Sequence, residues 1–315
     1  MEKYYIGLDI GGTKCAATLG KITGNQLIIE EKEQFPTGAQ PPGAILEKFS
    51  EFIGKQNKRI FGIGISCGGP LDSARGIVMK PPSLPLWDGI QAVDYFEKRF
   101  GVKTYLQNDA NACAVAEWKF GAGKGTKNMV FLTFGTGLGA GLILNGNLYS
   151  GTNDNAGEIG HVRLTRNGPE GYFKNGSCEG YCSGGGIGRL AAMMSGNKRL
   201  AGAFKEFSAA VNGEITAKTM ADHARLGNAF CKAVYQKSGE MLGRTLSILT
   251  DILNPEKIII GGVYMRAEDL LYPHLRKVME KETLPQAFEC VKILPAYLRE
   301  NVGDYAALSI AQGEF

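Results

Sequence analysis

The 315-residue sequence contains no block of lysine or arginine, and its formal net charge is only +4. A basic face for nucleic acid is therefore not expected, and the mild excess serves solubility. No apolar run approaches the ~20 residues that a membrane-spanning helix requires, so no membrane partner is expected. A strand pattern begins by Tyr4 and leaves no room for a signal peptide, which predicts a cytoplasmic protein. Paired cysteines are lacking too. The seven present (Cys15, Cys67, Cys113, Cys178, Cys182, Cys231 and Cys290) are odd in number and scattered through apolar context, as reduced packing residues are. No disulfide framework is indicated.

The sequence does have glycine turns set between apolar runs. Gly11-Gly12-Thr13 is entered from Tyr4–Ile10 and left through Cys15–Leu19; Gly135-Thr136-Gly137 is entered from Met129–Phe134 and left through Gly139–Leu144. Both spell strand, tight turn, strand. Glycine permits positive φ and close approach of backbone N–H groups to an anion, and the threonines add hydroxyl donors. Two rival nucleotide motifs are excluded. Gly135 to Ala140 fits G-x-G-x-x-A, but a β-rich run follows where a dinucleotide fold needs a helix. Gly121 to Thr126 imitates a P-loop, yet Trp118 stands at its opening glycine and Gly125 follows Lys124 where Ser or Thr belongs.

Strand and helix patterns alternate, which predicts an α/β architecture long enough for two lobes. Strands are expected near 27–31, 60–66, 102–107, 257–260 and 291–294. Helices are expected at 44–56, 91–100, 110–120, 187–195, 219–226, 228–253 and 304–312. Asn254-Pro255 stops the longest of these, because proline disfavours helix in the residue before it. Asp109, at a strand-to-helix junction in Gln107-Asn108-Asp109-Ala110-Asn111, is either a helix N-cap or a chemically employed carboxylate.

These motifs, in order, resemble the ROK family of sugar kinases and repressors within the actin-like ATPase group. The resemblance rests on Leu8–Lys14, Gly135–Gly139, Asn108–Asn111, Gly157-Glu158-Ile159-Gly160-His161 and Ile258–Val263, and it extends to Gly303–Ala307. It implies a two-lobed actin-like (ribonuclease H-like) α/β fold with duplicated domains and an interlobe cleft. The smaller lobe is expected to span 1–112 and to be completed by a C-terminal helix at 303–315, and the larger one to span 113–302. The implied activity is ATP-dependent phosphorylation of a hexose or N-acyl-hexosamine hydroxyl, the six-position one favoured, with a homodimer as the family's tendency. The alternatives are a sugar-responsive repressor, for whose DNA-binding domain the chain has no residues, and a silent sugar-binding protein.

By the same resemblance Asp109 is the general base, and Gly69, Ser83, Asn108, Asp109, Glu158, His161 and Glu179 contact sugar. Asp9, Gly11, Gly12, Thr13, Lys14, Gly135, Thr136, Gly137, Gly261 and Gly262 contact nucleotide, and Asp9 holds Mg2+ through water. Two departures stand out. Glu170, Tyr172 and Ser177 occupy positions where many members carry cysteines that bind structural zinc with the motif histidine, and Pro82-Ser83-Leu84 replaces Pro-Asn-Leu. Zinc is therefore not expected. Loop order is expected instead from Tyr172, Phe173 and Tyr181 packing beneath the sugar site, with His161 left to hydrogen-bond sugar and Glu179.

Overall fold

The computed structural model of the protein describes residues 2–23 and 26–315. It divides into two compact units. One comprises Met1–Lys127, Gly141–Ala156 and Tyr297–Phe315; the other comprises Asn128–Ala140 and Gly157–Ala296.

In the first unit, β1 (Lys3–Ile10), β2 (Lys14–Thr23) and β3 (Gln26–Pro36) form an antiparallel meander. Helix α1 (Pro42–Gly54) leads to β4 (Ile60–Cys67), which pairs parallel with β1. A small antiparallel sheet follows, made of β5 (Leu71–Asp72), β6 (Ile77–Met79) and β7 (Asp88–Gln91). Helix α2 (Ala92–Phe100) then returns the chain to β8 (Thr104–Asn108), parallel to β4, and α3 (Asp109–Phe120) follows at once. The main sheet has the order β3-β2-β1-β4-β8. Its buried strands read as near-continuous apolar runs, and Ile6, Leu8, Ile63 and Ile65 pack with Phe49, Phe52 and Phe96 of the helices. The expected lobe boundary after residue 112 falls inside α3.

The second sheet repeats the plan. Its strands are β9 (Met129–Phe134), β10 (Leu138–Leu144), β11 (Asn147–Leu148), β14 (Lys257–Ile260) and β15 (Lys292–Pro295), in the order β11-β10-β9-β14-β15. In both sheets the first strand is central, a hairpin extends to one side and parallel strands extend to the other. Between β11 and β14 lie the hairpin β12 (Glu170–Gly171) and β13 (Lys174–Asn175) and the helices α4 (Cys178–Tyr181), α5 (Gly184–Met194), α6 (Ala201–Ala210), α7 (Ala217–Arg225) and α8 (Ala229–Leu253). Helices α9 (Val263–Glu282) and α10 (Pro285–Cys290) precede β15. Asn254 ends α8 with a positive φ, the short polar side chain tolerating the left-handed region ahead of Pro255.

The last helix, α11 (Val302–Ile310), lies in the first unit against β1 and β4. It can do so because those strands carry glycine at the contact. A Cβ on Gly64 would stand 2.0 Å from the Ala307 carbonyl oxygen, and one on Gly62 would stand 2.0 Å from that of Ala311. Glycine inside a strand is unfavourable by itself, so close approach of a neighbouring backbone is its compensation. Gly64→Ala is expected to force α11 off the sheet at a cost of about 1–3 kcal/mol. Urea unfolding should show a lower midpoint at unchanged slope; an unchanged midpoint would mean that the helix position is not fixed by this contact.

Candidate active site

The parallel register of the first sheet brings the sequence motifs of the first unit to one edge. Asp9 lies opposite Ser66 and Ile10 opposite Cys67, while Ser66 lies opposite Gln107 and Cys67 opposite Asn108. The chain therefore leaves β1, β4 and β8 at the same level, as Gly11-Gly12, Gly68-Gly69 and Asp109. The edge beyond the carboxyl ends of parallel strands is where open α/β sheets bind ligands. Gly69 approaches Asn108 closely enough that a Cβ would meet its Nδ2 at 3.2 Å. Ser83 packs over the first turn, where a Cβ on Gly12 would meet its Cβ at 2.6 Å. Thr13 and Lys14 are exposed on that turn.

Asn108, not Asp109, caps α3. Its Oδ1 accepts from the Ala110 N–H at 2.9 Å, and Asp109 is the first residue of the helix. Asp109 Oδ1 also accepts from that N–H, at 2.7 Å. The two side chains thus share the first free amide of the helix, and the Asp109 carboxylate keeps access to solvent. The protein packed around it raises its pKa above the usual carboxylate range, more than the local N–H bonds lower it. Asp9 is pushed up to about 7, first by burial and then by the charges of Asp109 and Asp304, against the weaker opposing effect of Lys14 and Lys32. Asp304 itself, buried at the start of α11, is paired with Lys32 at 2.6 Å. Like charges gathered in this way favour an incoming cation.

In the second unit, the Gly157-Glu158-Ile159-Gly160-His161 segment lies flat on β10. A Cβ on Gly157, whose φ is +90°, would stand 2.0 Å from the Ala140 carbonyl oxygen, and one on Gly160 would stand 2.0 Å from that of Leu138. The glycines are thus the contact face. Residues 159–161 form a single 3-10 turn, in which positions i and i+3 eclipse, so Glu158 and His161 share its outer side and both are exposed. Glu179, near the start of α4, turns its Oε2 onto the second glycine turn and accepts from the Leu138 N–H at 3.1 Å. A Cβ on Gly137 would strike that oxygen at 2.6 Å.

The same turn is framed from two further directions. Gly184 N–H donates to the Gly135 carbonyl at 2.8 Å, and the backbone at Gly262, with φ +66°, passes so close that a Cβ would stand 2.1 Å from the Phe134 carbonyl oxygen. Gly261 N–H donates to the Leu132 carbonyl at 2.9 Å. Gly135, Thr136, Gly137, Gly261 and Gly262 are thereby neighbours at the ends of β9 and β14, with Thr136 exposed at the tip.

The expected aromatic packing beneath His161 is corrected in part. Tyr181 is buried, and its hydroxyl meets Thr165 Oγ1 at 2.9 Å, but Tyr172 and Phe173 form the exposed tip of the β12–β13 hairpin, with Phe173 87% exposed. A two-residue hairpin turn projects both of its side chains outward, so these rings cannot pack below. His161 is also not left free. Lys174 Nζ contacts its Nδ1 at 3.1 Å and donates to its carbonyl at 2.9 Å. Cys178 and Cys182 are buried against α8, where the Cys178 sulfur accepts from Thr245 Oγ1 at 3.3 Å and the Cys182 thiol donates to the Ser238 carbonyl at 3.8 Å. Among the described residues no three His, Cys, Asp or Glu side chains are grouped to hold a metal ion.

Three supporting residues escaped the sequence reading. Thr37 staples the first turn: its N–H donates to the Thr13 carbonyl and its Oγ1 to that of Gly11, at 3.0 and 2.6 Å. Gln107 Oε1 accepts from the Asn108 N–H and from Asn111 Nδ2, fixing the backbone just ahead of Asp109. The fully buried Glu117 accepts from the N–H groups of Ala122 and Leu298, and so builds the Gly121–Thr126 turn as a structural loop. Of the three only Gln107, the first residue of the Gln107–Asn111 segment, stood in a quoted motif, with no role given to it there.

Fold and site together define a duplicated α/β scaffold with paired glycine turns. Residues 5–314 match the ROK family, and the chain belongs to it. It is 30% identical over 312 residues to a glucokinase of Halalkalibacterium halodurans, covering 96% of this chain and 93% of that protein. A crystal structure of a ROK family glucokinase from Streptomyces griseus, in complex with glucose and AMPPNP, superposes with a TM-score of 0.77 at 28% identity over 98% of this chain and 99% of its own. A xylose repressor of Bacillus spizizenii is 25% identical over 99% of this chain and 78% of its own length.

Proposed function

We propose that the protein is an ATP-dependent kinase that phosphorylates a hydroxyl of a hexose or N-acyl-hexosamine, with the six-position hydroxyl favoured. The observation that carries this is Asp109: an accessible carboxylate at the head of α3, sharing the Ala110 N–H with Asn108, on the same strand edge as the Gly11-Gly12 turn. A sugar hydroxyl is a weak nucleophile, and a carboxylate with a raised pKa is suited to accept its proton. In the first unit Asn108 Nδ2, Gly69 and Ser83, and in the second Glu158, His161 and Glu179, are the groups each offers to sugar hydroxyls. Backbone N–H groups of the turn at 11–13, and of Thr136 and Gly137 in the turn at 135–137, are the phosphate donors, and the glycine backbone at 261–262 gives the nucleoside room for close approach. The glucose and AMPPNP bound by the Streptomyces griseus relative support this pairing of substrates.

The residues present suit magnesium, which is typically held by one or two carboxylates together with substrate phosphates rather than by a full protein cage. Asp9 would hold it through water; burial first, and then the charges of Asp109 and Asp304, disfavour its ionised form and so favour a neighbouring cation. The ion supplies charge neutralisation at the transferred phosphoryl group. Relatives that act as repressors make a non-catalytic sugar sensor the competing reading. ADP release measured over glucose, mannose, fructose, N-acetylglucosamine, N-acetylmannosamine and allose is expected to show sugar-dependent turnover with at least one. A blank across the panel, with sugar binding retained in calorimetry, would favour the sensor.

A further inference from the structure

Lys174 Nζ stands against His161 Nδ1 at 3.1 Å, and a zinc ion does not fit beside an ammonium on that nitrogen. We infer that Lys174 takes over the ion's positioning role and fixes His161 as the tautomer that carries its proton on Nε2. This rests on the assignment of His161 to the sugar site.

An ammonium has three donors and no acceptor, so the ring nitrogen it contacts must be the unprotonated one. A second Lys174 proton goes to the His161 carbonyl at 2.9 Å, and the ring is therefore gripped together with its own backbone. Tyr172 closes a third side, its ring edge-on to the imidazole at 5.7 Å and 89°. With Nδ1 engaged, Nε2–H is left as a donor of fixed direction. The partner of one imidazole nitrogen sets what the other can offer, which is also how a metal on Nδ1 would act.

The hairpin that presents Lys174 is held in a demanding geometry. Gly171 pairs with Lys174 and Glu170 with Asn175, so the turn consists of Tyr172 and Phe173 alone, at φ +48° and +60°. Such turns favour Asn and Gly, and aromatic side chains are disfavoured in the left-handed region. The register of this turn sets Lys174 and Tyr172 on His161. The surrounding loop is closed by peptide bonding: Gly176 O accepts from the N–H groups of Leu164 and Thr165, and Cys178 N–H donates to Val162 O.

The test uses 15N-labelled protein, in which three histidines give three ring-nitrogen patterns and His161→Asn identifies the one of interest. Long-range 1H–15N correlation is expected to show His161 protonated on Nε2 alone in the wild type and exchanging between tautomers in Lys174→Met. Lys174→Arg should largely restore the wild-type pattern. In turnover, Lys174→Met is expected to raise KM for sugar about tenfold with a smaller effect on kcat. Tyr172→Asn combined with Phe173→Gly, which suits the turn, should leave the tautomer unchanged. A proton on Nδ1 in the wild type, an identical pattern in Lys174→Met, or one zinc per chain by elemental analysis overturns the inference. A fixed tautomer whose loss leaves sugar KM unchanged overturns its link to substrate. A wild type inactive on every sugar, with the tautomer fixed, counts against the kinase reading and not against the lock.

Discussion

Asp109→Asn is expected to lower turnover by about two to four decades, the range for loss of a general base, while sugar and ATP still bind. The substitution is nearly isosteric, and the amide retains an oxygen that can accept from the Ala110 N–H as Asp109 Oδ1 does. Asn108 continues to cap the helix. A fall confined to kcat is therefore the signature of lost chemistry, whereas a matching rise in KM would point to lost positioning. The wild-type rate should decline on the acid side at a pH above the ordinary carboxylate range, because the surrounding protein raises the pKa of Asp109. This acid limb should vanish from the residual activity of the mutant. Near-normal turnover in a folded Asp109→Asn protein would remove Asp109 from the role of base.

What could be read from the sequence divides along physical lines. Strand-end glycines such as Gly11-Gly12 and Gly261-Gly262 were legible as turns after apolar runs; Gly157 and Gly160 entered only through the family motif, and that they lie on β10, and Gly262 against Phe134, follows from tertiary packing. Helices with one apolar face, such as α2 and α8, appeared within a residue or two of their observed ends. Helix α9 was missed because Pro273 interrupts its pattern, and α6 because its alanine-rich face buries little beyond Phe207. The expectation for Tyr172 and Phe173 failed for a different reason. Aromatic side chains suggest burial, and nothing local in Gly171-Tyr172-Phe173-Lys174 announces a two-residue turn with both central φ values positive. Thr37, Glu117 and Lys174 act across gaps of several to many residues, and such pairings follow from tertiary register rather than from any local pattern.

Asp9→Asn should abolish magnesium-dependent turnover and, at the same time, stabilise the ligand-free protein at alkaline pH. The folded-state pKa of Asp9, about 7, lies above the ordinary aspartate value of 3.8, so the native state binds the proton more tightly than the unfolded chain. Stability therefore falls as pH rises between those two values and stays at its reduced level above them. Ionisation at pH 8 costs at most about 4 kcal/mol by this linkage; partial contact of the carboxylate with water reduces the realised penalty to about 1–2 kcal/mol. At about 2 °C per kcal/mol for a chain of this size, the mutant should melt about 2–4 °C higher than the wild type at pH 8 in a chelator. At pH 4 the two should nearly coincide, since wild-type Asp9 is then protonated in the native state. Magnesium with ATP should narrow the gap at pH 8 by stabilising only the wild type. Thermal melts at the two pH values decide the matter: a mutant less stable than the wild type at pH 8 would show that Asp9 serves the fold, and that its charge is not held against a penalty for the sake of a bound cation.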